Sequence, residues 1–212
     1  MNLKNCIKCI DIHEKFTTTA EVHVHSKPYL QYNTKYWIPD EVKILFLGEA
    51  PPFIVPKRSA SYDSYFYNPD EKLKIMGAPH PLLGTISWNI FSLLGINNTL
   101  PKEEKLTIFR EKGCFYTTAV KCRVERFNNK ILSNRTIRNC SEHLSDQLSE
   151  LQPEIIVAMG ERALFALQCI DIFEEELAQY KLYKLIEKTL RKPMKINKQN
   201  LHFCSQPLWR NR

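Results

Sequence analysis

The chain has 212 residues, 43% hydrophobic and 25% charged, which suits one globular domain (residues 1–212) with a sizeable core. No apolar run reaches the roughly 18 residues that a membrane helix needs, and the first residues carry no apolar signal-peptide core, so no membrane association and a cytoplasmic location are expected. The net charge of +7 favours a polyanionic partner, because Lys and Arg release counterions when they neutralise phosphates.

Residues 1–40 read as irregular: a Cys6/Cys9 pair, a polar stretch with His23 and His25, then Tyr29, Tyr32, Tyr36 and Trp37 among prolines. The two histidines alternate on a strand-like run and are more simply structural than ligating. The run Val42 to Leu47, closed by Gly48, predicts a buried parallel strand. Residues 51–80 hold prolines and aromatics without periodicity and read as a long loop, and loops of that length in a compact domain are usually functional. Apolar spacing predicts a helix from Leu82 to Leu94, a charged helix follows over 102–112, and Cys114 to Val120 predicts the second strand.

A basic, Asn-rich loop covers 123–134, and an amphipathic helix runs from about Thr136 to Leu151 with Pro153 just beyond it. The third strand, Ile155 to Met159, stops at Gly160 and opens into helix 161–168. Lys-rich helical sequence fills 171–190, and Leu201 to Ser205 predicts the last strand. Strands alternating with helices imply an α/β fold, with right-handed crossovers and a parallel sheet covered on both faces. Ligands in such sheets bind beyond the carboxyl ends of the strands, here at Gly48-Glu49-Ala50, Lys121-Cys122-Arg123, Gly160-Glu161-Arg162 and Ser205-Gln206-Pro207.

Seven cysteines is a high number for a chain in a reducing compartment, where metal or cluster ligation outranks disulfides. Cys114, Cys169 and Cys204 sit in apolar runs and read as small buried hydrophobes. Cys6 and Cys9 form a C-x-x-C pair, Cys122 follows the second strand, and Cys140 lies on the next helix. Four thiolates suit zinc or an iron–sulfur cluster, and a single tight pair favours a cluster over a zinc ribbon. Spacing alone leaves open a third reading, in which the C-x-x-C is chance and the remaining cysteines are core.

The order of four motifs resembles the iron–sulfur class of uracil-DNA glycosylases, the family 4 type, over nearly all of residues 1–210. Ile44-Leu45-Phe46-Leu47-Gly48-Glu49-Ala50-Pro51 is similar to that family's strand followed by Gly-Glu-Ala-Pro-Gly. Tyr116 through Arg123 resembles its strand ending in Lys-Cys-Arg, and Cys140 through Gly160 its Cys-helix-Pro-strand-Gly block. Leu201 to Arg210 stands in the place of its last motif, usually His-Pro-Ser. The resemblance implies a three-layer αβα sandwich around a four-stranded parallel sheet. It also implies a [4Fe–4S] cluster on Cys6, Cys9, Cys122 and Cys140 near a DNA-binding surface, in a chain acting as a monomer. There are departures: Pro52 replaces the motif glycine, Thr118 stands where an Asn is usual, and Gln206 replaces the His. The usual Pro-Phe-Val-Gly stacking segment is not evident, and Ser64-Tyr65-Phe66-Tyr67-Asn68 is the candidate for its place.

Glycosidic cleavage passes through an oxocarbenium-like sugar and a departing base anion. A carboxylate near the sugar and a donor near the base each stabilise that transition state. Glu49 is the expected carboxylate, against a plain role in capping backbone N–H groups, and Gln206 is the expected contact to base or phosphate, against a surface turn residue. Ala50 and Thr118 belong by motif to the base pocket. Tyr65, Phe66 and Tyr67 stack a flipped base while Asn68 pairs with its edge, or all four form an aromatic mini-core beneath the loop. Lys121, Arg123 and Arg210, with Arg126 and Arg135, are expected where phosphates pass, and Leu208 and Trp209 as a wedge into the duplex. The resulting expectation is a DNA glycosylase acting on uracil or another modified base. The alternatives are a non-catalytic iron–sulfur nucleic-acid-binding protein of the same fold and a zinc-stabilised nucleotide-binding or hydrolytic α/β protein, the last disfavoured by the missing phosphate-binding glycine fingerprints.

Overall fold

The computed structural model describes residues 8, 38–49, 89–121, 134–171, 173, 177–189, 192–196 and 199–204. In chain order the elements are β1 (Ile44–Gly48), α1 (Lys102–Glu111), β2 (Cys114–Thr118), α2 (Asn134–Leu151) and β3 (Ile155–Met159). They continue with α3 (Glu161–Gln168), α4 (Leu182–Thr189), β4 (Met194–Ile196) and β5 (Gln199–Cys204). The strands form one sheet in the order β2-β1-β3-β5-β4. β1 pairs in parallel with β2 and β3, β3 pairs in parallel with β5, and β4 runs antiparallel to β5.

The four parallel strands are those expected, and the fold is α/β; among the described residues the sheet nevertheless has five strands. β4 is three residues long and lies in Lys-rich sequence, too short for its alternation to stand out from a helix tail. β2 ends at Thr118, two residues earlier than expected, because the chain then folds over the end of β1: Ala119 N–H donates to the Gly48 carbonyl at 2.9 Å and Val120 N–H to that of Glu49 at 3.0 Å. The Lys-rich stretch is helical at residues 171, 173 and 177 and again over Leu182–Thr189, and between them the chain breaks at 178–181, where the Gln168 amide donates to the carbonyls of Leu177 (2.8 Å) and Tyr180 (3.2 Å). Of the helix expected over Leu82 to Leu94, residues 89–93 are helical and the part before 89 lies outside the described residues.

Alternation along the strands separates two faces. Phe46 and its register partner Tyr116 share the face that meets α1, where the Phe46 and Phe109 rings lie 5.9 Å apart and Phe91 meets Phe109 edge-on. Leu47 and its partner Thr117 point the other way, toward α2, whose Gln147 accepts a hydrogen bond from the Thr117 hydroxyl at 3.1 Å. Helices on both sides of the sheet make three layers, as right-handed crossovers require for this strand order. α2 packs on α3, and its buried positions Ile137, Cys140, Leu144 and Leu148 form one helical stripe. Among the described residues no helix is long and apolar enough to cross a membrane.

Candidate functional site

The chain leaves β1 toward β2 on one side and leaves β3 toward β5 on the other. In a parallel sheet such a reversal opens a crevice at the carboxyl ends of the two neighbouring strands. β3 ends at Gly160, whose φ of 89° lies in the left-handed region that glycine tolerates, and α3 starts immediately afterwards. The Gly160 N–H donates to the Cys204 carbonyl at 2.9 Å, so the start of α3 is fastened to the end of β5. β1 ends at Gly48, followed by Glu49, which is half-buried at the mouth of this crevice.

Gly48 is required there by packing. A Cβ at this position would collide with the Tyr116 hydroxyl and sit 3.1 Å from its Cζ. The Tyr116 ring therefore runs along the sheet until its phenol stands at the carboxyl end of β1. Burial, and second the nearby Glu49 carboxylate, push that phenol above its usual range, so it keeps its proton at neutral pH. Thr118, expected at the base pocket, is buried, and its hydroxyl donates to the Val120 carbonyl at 2.9 Å. Its proton is thus committed to the backbone and only oxygen lone pairs are left to offer.

Lys121 departs from its expected place beside phosphates. It is 1% exposed, and its ammonium donates to the Thr117 hydroxyl (3.0 Å), the Thr118 carbonyl (2.6 Å) and Gln147 Oε1 (2.5 Å). Three acceptors match the three donors of an ammonium, so this side chain ties the end of β2 to α2 instead of facing solvent. Burial pulls its pKa down to about 7, while the neighbouring Cys140 acts in the opposite direction. Cys140 itself is 3% exposed, on the sheet-facing stripe of α2.

Lys8, from between Cys6 and Cys9, reaches the same helix. Its main-chain oxygen accepts from the Asn139 amide and its ammonium pairs with the Glu142 carboxylate. Asn139 and Glu142 bracket Cys140 on α2. The Lys8 ammonium holds the Glu142 carboxyl below its usual range, and burial pulls the adjacent His143 down. Two sequence neighbours of expected ligands thereby meet α2, Lys121 on the buried side that carries Cys140 and Lys8 on the outer side at Asn139 and Glu142. Cys6, Cys9 and Cys122 themselves lie outside the described residues, as do Ala50, Tyr65, Phe66, Tyr67, Asn68, Arg123, Gln206, Leu208, Trp209 and Arg210. Among the described residues no three metal-ligating side chains gather into a site.

The cysteines assigned to the core differ in depth. Cys114 is fully buried, Cys169 and Cys204 are half-buried, and burial pushes the thiols of Cys114 and Cys204 up to about 11. Basic side chains collect where α2 and α3 begin. Arg135 is exposed, Arg138 lies 5.5 Å from the centre of the Phe165 ring, and Arg162 donates to the Asn134 side chain. Both helix amino termini add the positive end of a helix dipole, which favours an anion. A cleft among the described residues, about 340 Å³ and lined by Asp40, Glu41, Lys43 and Arg110, opens at the amino ends of β1 and β2. That is the opposite end of the sheet from Glu49.

Tyr116, Gln147, Lys8 and Arg138 had no expected role in the site. Only Gln147 had a visible signal: it is a polar residue on an otherwise apolar helical stripe, seven positions after Cys140. The model of the Uracil DNA glycosylase superfamily matches residues 36–212. No curated protein matches the chain.

Proposed function

Because the chain belongs to the Uracil DNA glycosylase superfamily, we propose that it hydrolyses the N-glycosidic bond of uracil or another modified base in DNA. The observation that carries this reading is a carboxylate, Glu49, at the carboxyl end of β1 where the chain reverses between β1 and β3. There it faces a flipped nucleotide held between the loops, and its negative charge stabilises the positive sugar as the base departs, or orients the attacking water. The protonated Tyr116 phenol beside it keeps a second anion out of the carboxylate's neighbourhood. Ala50, Thr118 and the 65–68 segment contribute to the base pocket, and Gln206 meets the departing base.

The thiolates of Cys6, Cys9, Cys122 and Cys140 suit a [4Fe–4S] cluster. Burial of Cys140 with Lys121 beside it, and the hold of Lys8 on the same helix at Asn139 and Glu142, support this donor set. Cys6, Cys9, Cys122 and Cys140 would hold such a cluster, and their shared ligation would tie the N-terminal segment to the residue after β2 and to α2. Arg123, Arg135, Arg138, Arg162 and Arg210 hold the phosphates, and Leu208 and Trp209 fill the gap left in the duplex.

Oligonucleotides carrying uracil, hypoxanthine, xanthine or modified cytosines test the reaction by their yield of abasic sites. Glu49→Gln should lower the single-turnover rate by about 100-fold or more, the scale on which a lost electrostatic stabiliser acts; a variant as fast as the parent removes Glu49 from the mechanism. One observation favours a second reading, in which the protein binds DNA without cleaving it. The Thr118 hydroxyl proton is spent on the Val120 carbonyl at a position where the family usually carries an Asn amide. Salt-sensitive DNA binding with no base released from any substrate supports that reading.

A further inference from the structure

We propose that Tyr116 is a positioning residue for Glu49, its phenol proton directing the carboxylate at the carboxyl end of β1; the role rests on the reading of Glu49 given above. Tyr116 is the third residue of β2 and pairs in register with Phe46, two residues before Gly48. Its ring spans that interval, and its hydroxyl ends against Gly48, where a Cβ would collide with it. An alanine methyl at 48 would already close that path. The side chain thus carries a hydroxyl from the middle of one strand to the end of its neighbour, one residue short of the carboxylate.

The main chain at the same place is fixed from the side. Ala119 N–H donates to the Gly48 carbonyl at 2.9 Å and Val120 N–H to the Glu49 carbonyl at 3.0 Å, so the backbone of residues 48 and 49 is pinned to the exit of β2. Those bonds set where Glu49 leaves the sheet and leave its side-chain torsions to be set by other groups. Tyr116 is 7% exposed, and a buried phenol O–H needs an acceptor. Burial first, and then the Glu49 charge, push the phenol above its usual range, so the two side chains sense each other and the phenol keeps its proton. A protonated phenol beside a carboxylate is a neutral donor to an anion, which fixes the direction of the charge without cancelling it. An ammonium or guanidinium there would neutralise the field that a positive sugar needs.

The test uses the full-length protein with Tyr116→Phe, Glu49→Gln and the double variant, on the oligonucleotides named above. Tyr116→Phe keeps the ring and removes one oxygen atom, and its thermal midpoint checks that the fold is kept. Its single-turnover rate should fall about 10- to 100-fold, the scale of one hydrogen bond to a charged group, with the dissociation constant for DNA unchanged. In the Glu49→Gln background the same change should cost nothing further, because the group it directs is gone. A full-rate Tyr116→Phe, or a loss of equal size in both backgrounds, overturns the proposal. A second readout needs no activity. In protein whose tyrosines are isotope-labelled at Cζ, the Tyr116 resonance, identified by its loss in Tyr116→Phe, should shift on Glu49→Gln at neutral pH. A resonance that stays in place overturns the proposal whatever the rates. If the resonance shifts but Glu49→Gln is as fast as the parent, or no substrate loses its base, the reading of Glu49 falls and the positioning role with it, while the coupling of the two side chains stands.

Discussion

At the scale of single residues the carboxyl end of β1 is set by one missing methyl group. Gly48 leaves room for the Tyr116 hydroxyl, and Gly48→Ala should cost about 1–3 kcal/mol, the range for overpacking a tight core. Adding Tyr116→Phe, which removes the clashing atom, should recover most of that loss in chemical denaturation; simple additivity of the two changes would disprove the contact. The core thiols make a separate prediction. With ionisation pushed from 9.0 to about 11, Cys114 and Cys204 hold on the order of 100-fold less thiolate near neutral pH than an ordinary cysteine. Alkylation followed by mass spectrometry should therefore label them at least that much more slowly than a free cysteine peptide.

At the scale of elements, the joint between β2 and α2 rests on Lys121, Thr117 and Gln147. Gln147→Leu withdraws an acceptor from a buried ammonium and should cost about 1.5–3 kcal/mol. Lys121→Met removes the charge together with its need for partners and should cost less, although it deletes more hydrogen bonds. The order of the two denaturation midpoints is the measurement. β3 and α3 have the bounds their residues predict, because an apolar run meets a glycine and then a helical pattern, and each signal is local. Glu49 was legible for the same reason, as the residue after a strand-closing glycine. Lys121 was not: a lysine after a strand reads as solvated, and the acceptor that permits its burial lies 26 residues further on. Tyr116 against Gly48 depends on strand register, and Lys8 on α2 depends on a contact across most of the chain. Pairing information of this kind is not carried by composition or periodicity within a window.

At the scale of the whole molecule, the net charge of +7 takes on a direction from the arginines at the starts of α2 and α3. Replacing Arg135 and Arg138 together by Gln should reduce the slope of log affinity against log salt by about 2 for any DNA sequence, and leave base preference untouched. A titration over several salt concentrations decides it, and an unchanged slope would move the phosphate track elsewhere. The other end of the sheet order has a different consequence. β4 covers the open side of β5 with three residues and turns Lys195 outward, exposed, on the last strand of the sheet. A short strand with an outward lysine is a poor template for a further strand from another molecule. The edge is thereby protected against strand-by-strand aggregation, and a shortened protein lacking 192–196 should precipitate from concentrated solutions in which the parent stays clear.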